Sequence, residues 1–566
     1  MKFLIRSDAL AKIKIQFEIN FKMITRMQKI SKTQLFVSVG VLILISILIK
    51  IILLADQVFP FNADEAIIAL MARHINQGEL PTFFYGQVYM GSLDAFLVAF
   101  VFRVFGESIW GIRFVQIVLS TFVIFTSVYL SYTIFKSQIA GLVTGLLLSV
   151  PTVNYLLYTT VSLGGYVEAL LIGNLLMIIG LILLNDFGLA DKKIFNRKTL
   201  FLSLLFGFLS GLGLWANALT LIYSVPLCVL LVLKLIKTQH AKELVSWVLL
   251  IFIFGLIGAF PWVLYGIKHG MMGLLSEITG SAVSVENGSY LAVIGQHIIN
   301  YVLFGLTALF GLRPPWSTQW LSPPLAPFAL TFWIISIAFF IRGKKRKIIE
   351  NDPYYVILSI FLTFTLCFIF SSFGVDPSGR YFLPMFVLLT IIGGGFIAHA
   401  PLQKTLKIGF VLLVVLFNLI GTIQCALQNP PGITTQFYEP SAIDQSKLTE
   451  LADFLIENNE LSGYTNYWVS YPLAFISQEK LIYVPRLPYH LDLTYTSRDD
   501  RYEPYTTIVQ SSEKVAYITT KNPYLDQILT KKLQENGISW KEQVIGDYHV
   551  YYSLSHWISP EVIGLP

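Results

Sequence analysis

Phe59-Pro-Phe-Asn-Ala-Asp-Glu-Ala-Ile-Ile-Ala-Leu-Met-Ala-Arg-His-Ile-Asn-Gln-Gly78 follows closely on an apolar run at 34–54, and this junction decides the fold. The run is as long as the ~20 residues needed to cross a bilayer. Beyond it, Ile67, Ile68, Met71 and Ile75 describe one face of a helix that ends at Gly78. Asp64 and Glu65 fall in the first turn of that helix. Neighbouring helical residues point about 100° apart, so the two carboxylates cannot address one substrate atom. One is expected to do chemistry while the other orients or packs. Capping is the competing account, because acids favour a first turn and Asn62 or Asp64 can close it. What tips the balance is position. A carboxylate held beside lipid is costly, and the same loop continues with Phe83-Phe-Tyr-Gly-Gln-Val-Tyr-Met-Gly-Ser-Leu-Asp-Ala95, which adds Tyr85, Gln87, Tyr89 and Asp94.

Working outward, the 566 residues are 55% hydrophobic and only 13% charged, with a mean hydropathy of +0.66. Soluble domains carry about 25% charged residues, so lipid is the main solvent. The net charge of +6 is no nucleic-acid signal, because the basic residues sit in short segments beside spans. Four such segments are assigned to the cytoplasm: a basic arm at 1–33, the loop 186–199 with Lys192, Lys193, Arg197 and Lys198, the loop 234–243, and Arg342-Gly-Lys-Lys-Arg-Lys347. The run at 34–54 is longer than a signal peptide's apolar region and has no small-residue cleavage site, so it reads as an uncleaved first span. Spans then fit at 34–54, 109–134, 138–158, 164–184, 200–216, 217–233, 244–268, 324–341, 354–373, 381–400 and 407–426. The expected fold is thus a polytopic α-helical membrane protein of about eleven spans, within a module at 34–427. Its outer loops fall at 55–108 and 269–323. Segments 93–105 and 290–312 interrupt the alternation and read as helices lying along the outer surface. Residues 428–566 lose apolar density and alternate helix-like with strand-like runs, as in a small extracytoplasmic α/β domain. The N-terminus is expected in the cytoplasm of a plasma-membrane protein. Cys228, Cys367 and Cys425 are dispersed, against a disulfide framework or a thiolate metal site.

Two further segments carry polar groups to the Asp64 side. Phe373-Gly-Val-Asp-Pro-Ser-Gly-Arg-Tyr-Phe-Leu-Pro384 sets Asp376, Arg380 and Tyr381 between two spans. Arg380 there suits a forked contact with a phosphate, although an Arg380–Asp376 turn salt bridge is the plain alternative. Ser162-Leu-Gly-Gly-Tyr-Val-Glu168 brings Glu168 to a helix start, where capping outweighs a substrate role. Arg313-Pro-Pro-Trp316 and the stretch Ser276–Tyr290 read as a rim or lid. GxxxxGK[ST], HExxH and Cys/His clusters are missing, as is a DxD pair in the first outer loop.

These residues, in this order, resemble the GT-C glycosyltransferases, specifically the family-39-like group that includes protein O-mannosyltransferases and the aminoarabinose transferase of lipid A. The resemblance rests on Asp64-Glu65 after the first span, surface helices in that loop, the Gly379-Arg-Tyr-Phe-Leu-Pro384 motif before a late span and an outer C-terminal domain. Gly463-Tyr-Thr-Asn-Tyr-Trp-Val-Ser-Tyr-Pro472 also looks like a stretch found in soluble domains of bacterial members. The resemblance implies a polyprenyl-phosphate sugar donor, an acceptor hydroxyl on a lipid, glycan or protein, and inversion without metal or cofactor. Asp64 matches the family's base, Glu65 its supporting acid and Arg380 the phosphate ligand, with Tyr85, Tyr89, Asp94, Glu168, Asp376 and Tyr381 as expected substrate contacts. Gln87–Asp94 departs from the Pro-rich turn of relatives. A transporter or flippase is the main alternative. It would gather polar groups near the bilayer midplane, whereas here they collect in one outer layer. A partner-binding scaffold would leave Asp64-Glu65 without a task beyond capping.

Overall fold

A computed structural model describes residues 31–189, 195–238, 242–276, 289–428, 432–438, 440 and 442–565. Most of the basic arm, Lys192, Lys193 and most of Ser276–Tyr290 lie outside the described residues. Among the described residues ten helices are long and apolar enough to cross a membrane, and a bent pair brings the number to eleven. The chain opens with α1 (Lys32–Ala55), then α2 (Ala63–Gln77), α3 (Leu93–Phe105) and α4 (Ile109–Phe135). Between α2 and α3 a hairpin pairs β1 (Phe83–Phe84) with β2 (Gln87–Gly91).

Two expected spans are broken. The stretch 138–158 divides into Gln138–Ser149 and the fully buried Val153–Tyr158 around Pro151, whose ring and missing N–H interrupt the helical ladder. The stretch 244–268 bends by 77° between Leu244–Gly258 and Phe260–His269, with Pro261 opening the second piece. Helix Tyr290–Leu309, read from sequence as a surface helix, is long and apolar enough to cross. Its polar contacts nevertheless meet one level of the bundle. His297 Nδ1 pairs with the Ile369 carbonyl at 2.8 Å, Tyr301 with Thr365 at 2.9 Å, and Asn300 donates to the carbonyls of Gly374 and Val375. These partners run from Thr365 in the last turns of helix Asn351–Phe370 to Val375 beyond its C-terminal end.

The helix Arg380–His399 is the most buried of the ten. Gly393, Gly394 and Gly395 point in three directions about 100° apart. Each lets a different neighbour close in: the Phe332 ring, the Ala140 carbonyl and the Phe135 ring. Tight packing on three sides fixes this helix, and with it the position of Arg380 at its first turn.

The C-terminal region is an α/β unit with a five-stranded sheet in the order β4-β3-β5-β7-β6. The strands are β3 (Ser462–Thr465), β4 (Ile482–Pro485), β5 (Ala516–Thr520), β6 (Lys541–Ile545) and β7 (Tyr548–Tyr552). β3 pairs in parallel with both β4 and β5, and the β5–β7 and β6–β7 pairs are antiparallel. This unit is not a separate lobe. Ile67, Leu70 and Ala99 of the surface helices share one apolar core with Val469, Leu473 and Phe475. Arg73 clamps the seam, donating to Glu107 at 2.7 Å, to Glu479 at 3.2 Å and to the Phe475 carbonyl at 3.1 Å.

Candidate functional site

At the start of α2, Asn62 is the cap: its side-chain oxygen accepts the Glu65 N–H at 3.0 Å. That releases Asp64 from capping. Asp64 Oδ1 instead accepts a hydrogen bond from the Tyr467 hydroxyl at 2.5 Å, and Oδ2 has no hydrogen-bond partner among the described residues. Burial and the Asp64 charge push the Tyr467 phenol well above its ordinary range, so Tyr467 is the donor. Glu65 points the other way, as its 100° offset requires. It is fully buried, and Arg113 grips both its oxygens at 2.9 Å. The same guanidinium donates to the Phe59 and Pro60 carbonyls at 3.2 and 3.3 Å. Glu65 and Arg113 therefore hold the turn that presents Asp64.

Arg380 follows Gly379, whose φ of +81° is the left-handed region that glycine adopts freely. Asn154 donates to the Gly379 carbonyl at 3.0 Å and Arg313 to the Pro377 carbonyl at 2.7 Å, which pins the turn from both sides. Asp376 pairs with Arg380 Nε, and the guanidinium lies over the Tyr381 ring at 5.1 Å. Asp64 and Arg380, 316 positions apart in the chain numbering, line one cavity of about 860 Å³.

The opposite wall comes from the C-terminal unit. In parallel sheets, ligands gather at the carboxyl ends of the strands, and the residues after β3 and β4 do the same here. Tyr467 and Trp468 follow β3, while Tyr489, His490, Arg498, Asp499 and Arg501 follow β4. Arg501 sits over the Tyr467 ring at 5.5 Å, and with its amide oxygen turned inward Gln87 accepts from both terminal guanidinium nitrogens at 2.9 Å. Gly86 is shaped to this contact: its φ is +71°, and a Cβ there would come within 2.8 Å of Arg501 Cδ. Burial pushes the Asp499 carboxyl up to about 7, with Arg501 opposing and the Asp64 charge adding to the rise.

Of the residues expected from sequence, the structure brings Asp64, Arg380 and Tyr89 to the cavity wall. Others sit behind it. Glu65 is spent on Arg113, so its place is support rather than chemistry. Tyr85 does not line the cavity but packs on His74 and Tyr502 at the seam, bonding His74 at 2.8 Å. Asp94 is fully buried, held by Gln116 at 2.8 Å and Ser162 at 2.5 Å, and burial raises its carboxyl pKa. Glu168 is buried against Asp94. No side-chain donor reaches either Glu168 carboxyl oxygen among the described residues, and Glu168 does not line the cavity. Asp376 and Tyr381 stand behind Arg380. Arg313 is a buried staple rather than a rim, bound to the Phe304, Pro314 and Pro377 carbonyls. Lys50, inside α1, is a lone charge in an apolar run; it donates to Ser120 and to the Thr159 carbonyl at 2.6 and 2.5 Å. Among the described residues no three His, Cys, Asp or Glu side chains gather as a metal site.

No protein-family model and no curated protein matches this sequence. Solved structures do. ArnT from Cupriavidus metallidurans bound to undecaprenyl phosphate aligns over 91% of this chain and 97% of its own, with a TM-score of 0.53 at 14% identity. The Archaeoglobus fulgidus oligosaccharyltransferase in its apo form aligns over 87% of this chain and 70% of its own, with a TM-score of 0.52 at 12% identity. The likeness runs through the membrane helices and into the C-terminal unit, and the chain has the GT-C fold.

Proposed function

We propose that this protein is a membrane glycosyltransferase that moves a sugar from a polyprenyl-phosphate donor to an acceptor hydroxyl at the outer face of the membrane. The observation that carries this reading is the meeting of Asp64, with Oδ2 open, and Arg380 on one cavity. The fold adds support, since ArnT, which shares it, was crystallised with undecaprenyl phosphate.

In the proposed step the acceptor oxygen attacks the anomeric carbon from the face opposite the phosphate, which inverts that centre. Its proton passes to Asp64 Oδ2 as the new bond forms. The sugar–phosphate bond breaks, and its electron pair leaves with the lipid phosphate. Arg380 faces that growing charge. Tyr467 keeps Asp64 aimed, and the Glu65–Arg113 pair keeps the turn from shifting. The step needs no metal. Purified protein in liposomes carrying a labelled polyprenyl-phosphate sugar is expected to transfer the label in EDTA, and Asp64→Asn to stop it while still inserting and folding. Full transfer by Asp64→Asn would remove Asp64 from this role. Loss in EDTA reversed by a divalent ion would remove the metal-free scheme.

A further inference from the structure

The C-terminal wall carries more aromatic surface than the proposed step uses. From Tyr467, which touches Asp64, ring contacts run without a gap to Trp468 at 5.2 Å, Tyr489 at 5.9 Å, His490 at 4.4 Å and Tyr438 at 4.6 Å. All five line the cavity that holds Asp64. Tyr467 and Trp468 are buried at its base, while Tyr489, His490 and Tyr438 are half-buried and open to it. Beside this row stand Asp499, whose carboxylate makes no hydrogen bond or ion pair among the described residues, and Arg501, whose charge has no acidic ion-pair partner there.

Aromatic faces are electron-rich, and pyranose rings present patches of weakly positive C–H groups flanked by hydroxyls. A row of rings bordered by one carboxyl and one guanidinium meets both features, because the rings stack on C–H patches and the polar pair takes hydroxyl groups. A lipid acceptor would leave the Asp499 carboxyl desolvated without a partner and Arg501 with only the uncharged Gln87, at a cost. An extended peptide would seek backbone pairing, and β4, the sheet edge nearest these loops, is buried along its whole length.

We infer that this wall is the acceptor subsite and that it takes a carbohydrate of more than one sugar, laid along the ring row with one hydroxyl at Asp64. The word acceptor rests on the transferase reading; the carbohydrate site does not. Full-length protein in nanodiscs would be titrated with mono-, di- and tetrasaccharides of glucose and of N-acetylglucosamine, and with a Ser/Thr-rich peptide. Saturation-transfer NMR on the sugar C–H protons reads binding without turnover.

Binding that strengthens from mono- to tetrasaccharide in either series, and weakens about tenfold in Tyr489→Ala, is the expected result. Tyr489→Phe keeps the ring and is expected to bind within about twofold of wild type. It separates loss of stacking from loss of folding. Arg380→Gln is expected to keep saccharide binding, so a failure of the transfer chemistry leaves this result standing. Saccharide binding that ignores Tyr489→Ala, peptide binding in its place, or no saccharide contact in either series would each overturn the proposal. Saccharide binding lost in Arg380→Gln would move the sugar to the donor side and overturn it as well.

Discussion

The two walls of the cavity are built on opposite plans. The membrane wall offers Arg380, whose Nε is already paired with Asp376 and whose turn is pinned by Asn154 and Arg313. The C-terminal wall offers Arg501 and Asp499, which have no oppositely charged ion-pair partner among the described residues, in loops after β4. A cation held by a fixed carboxylate is pre-organised for one recurrent anion. Open polar groups among rings instead suit a ligand that varies in its hydroxyls. Between the walls stands Asp64, on a helix capped by Asn62 and braced by Glu65. Under the proposed transferase reading, this contrast puts the constant half of the reaction, the lipid phosphate, on the bundle and the variable half on the C-terminal unit.

The sharpest way to break this division is Asp64 itself, which serves both halves. Asp64→Asn is expected to lower transfer about a thousandfold, within the range for a lost general base, measured as label transferred per mole of folded protein. Arg380→Gln comes next, at about a hundredfold, the scale of losing one donor to a developing oxyanion. In that variant the loss belongs in the rate at saturating acceptor. If Arg380→Gln raised only the acceptor KM, the two walls would have been assigned the wrong way round.

Glu65→Gln sharpens the contrast within the acidic pair. It leaves Arg113 buried and uncompensated, and breaking such a pair costs about 3–5 kcal/mol. The variant is expected to lose thermal stability markedly in a melting experiment. Asp64→Asn, at a half-exposed position, is expected to melt close to wild type. Equal melting of the two variants would place both carboxylates in the same role.

Much of this was legible in the sequence, for physical reasons. Hydropathy is a local property, so the spans and the loss of apolar density after residue 428 could be read directly. Helical geometry alone separates Asp64 from Glu65, and the placing of the spans puts Asp64 and Arg380 at one level. What could not be read was tertiary. Arg501 and Asp499 lie in a loop with no local pattern, and only the docking of the C-terminal unit on α2 carries them to Asp64. Tyr467 and Trp468 were inside a stretch that stood out, Gly463–Pro472, yet nothing in it named Asp64 as a partner. Asp94 and Glu168 erred in the opposite direction. Polar residues near a site read as substrate contacts, but these two are buried and do not line the cavity.

The smallest effect tests the C-terminal wall by pH. The Asp499 carboxyl is raised to about 7 by burial, against about 3.9 in an unfolded chain. Between these values the folded state holds a proton that the unfolded state has released. Stability therefore declines as pH rises through this window and levels off above about 7. Asp499→Asn removes the titration. The melting temperature of the variant minus that of wild type is expected to climb from about pH 4 to about pH 7 and then stay flat. The same proton faces the ligand. Below pH 7 the neutral carboxyl offers a donor to a sugar hydroxyl; above it, a second negative charge stands in the field of Asp64. Saccharide binding to wild type is expected to change severalfold across pH 7 and binding to Asp499→Asn to show no step there, the two measured side by side by the NMR titration. A step that persists in the variant would mean that another group on the wall titrates, and the polar half of the acceptor site would have to be sought away from Asp499.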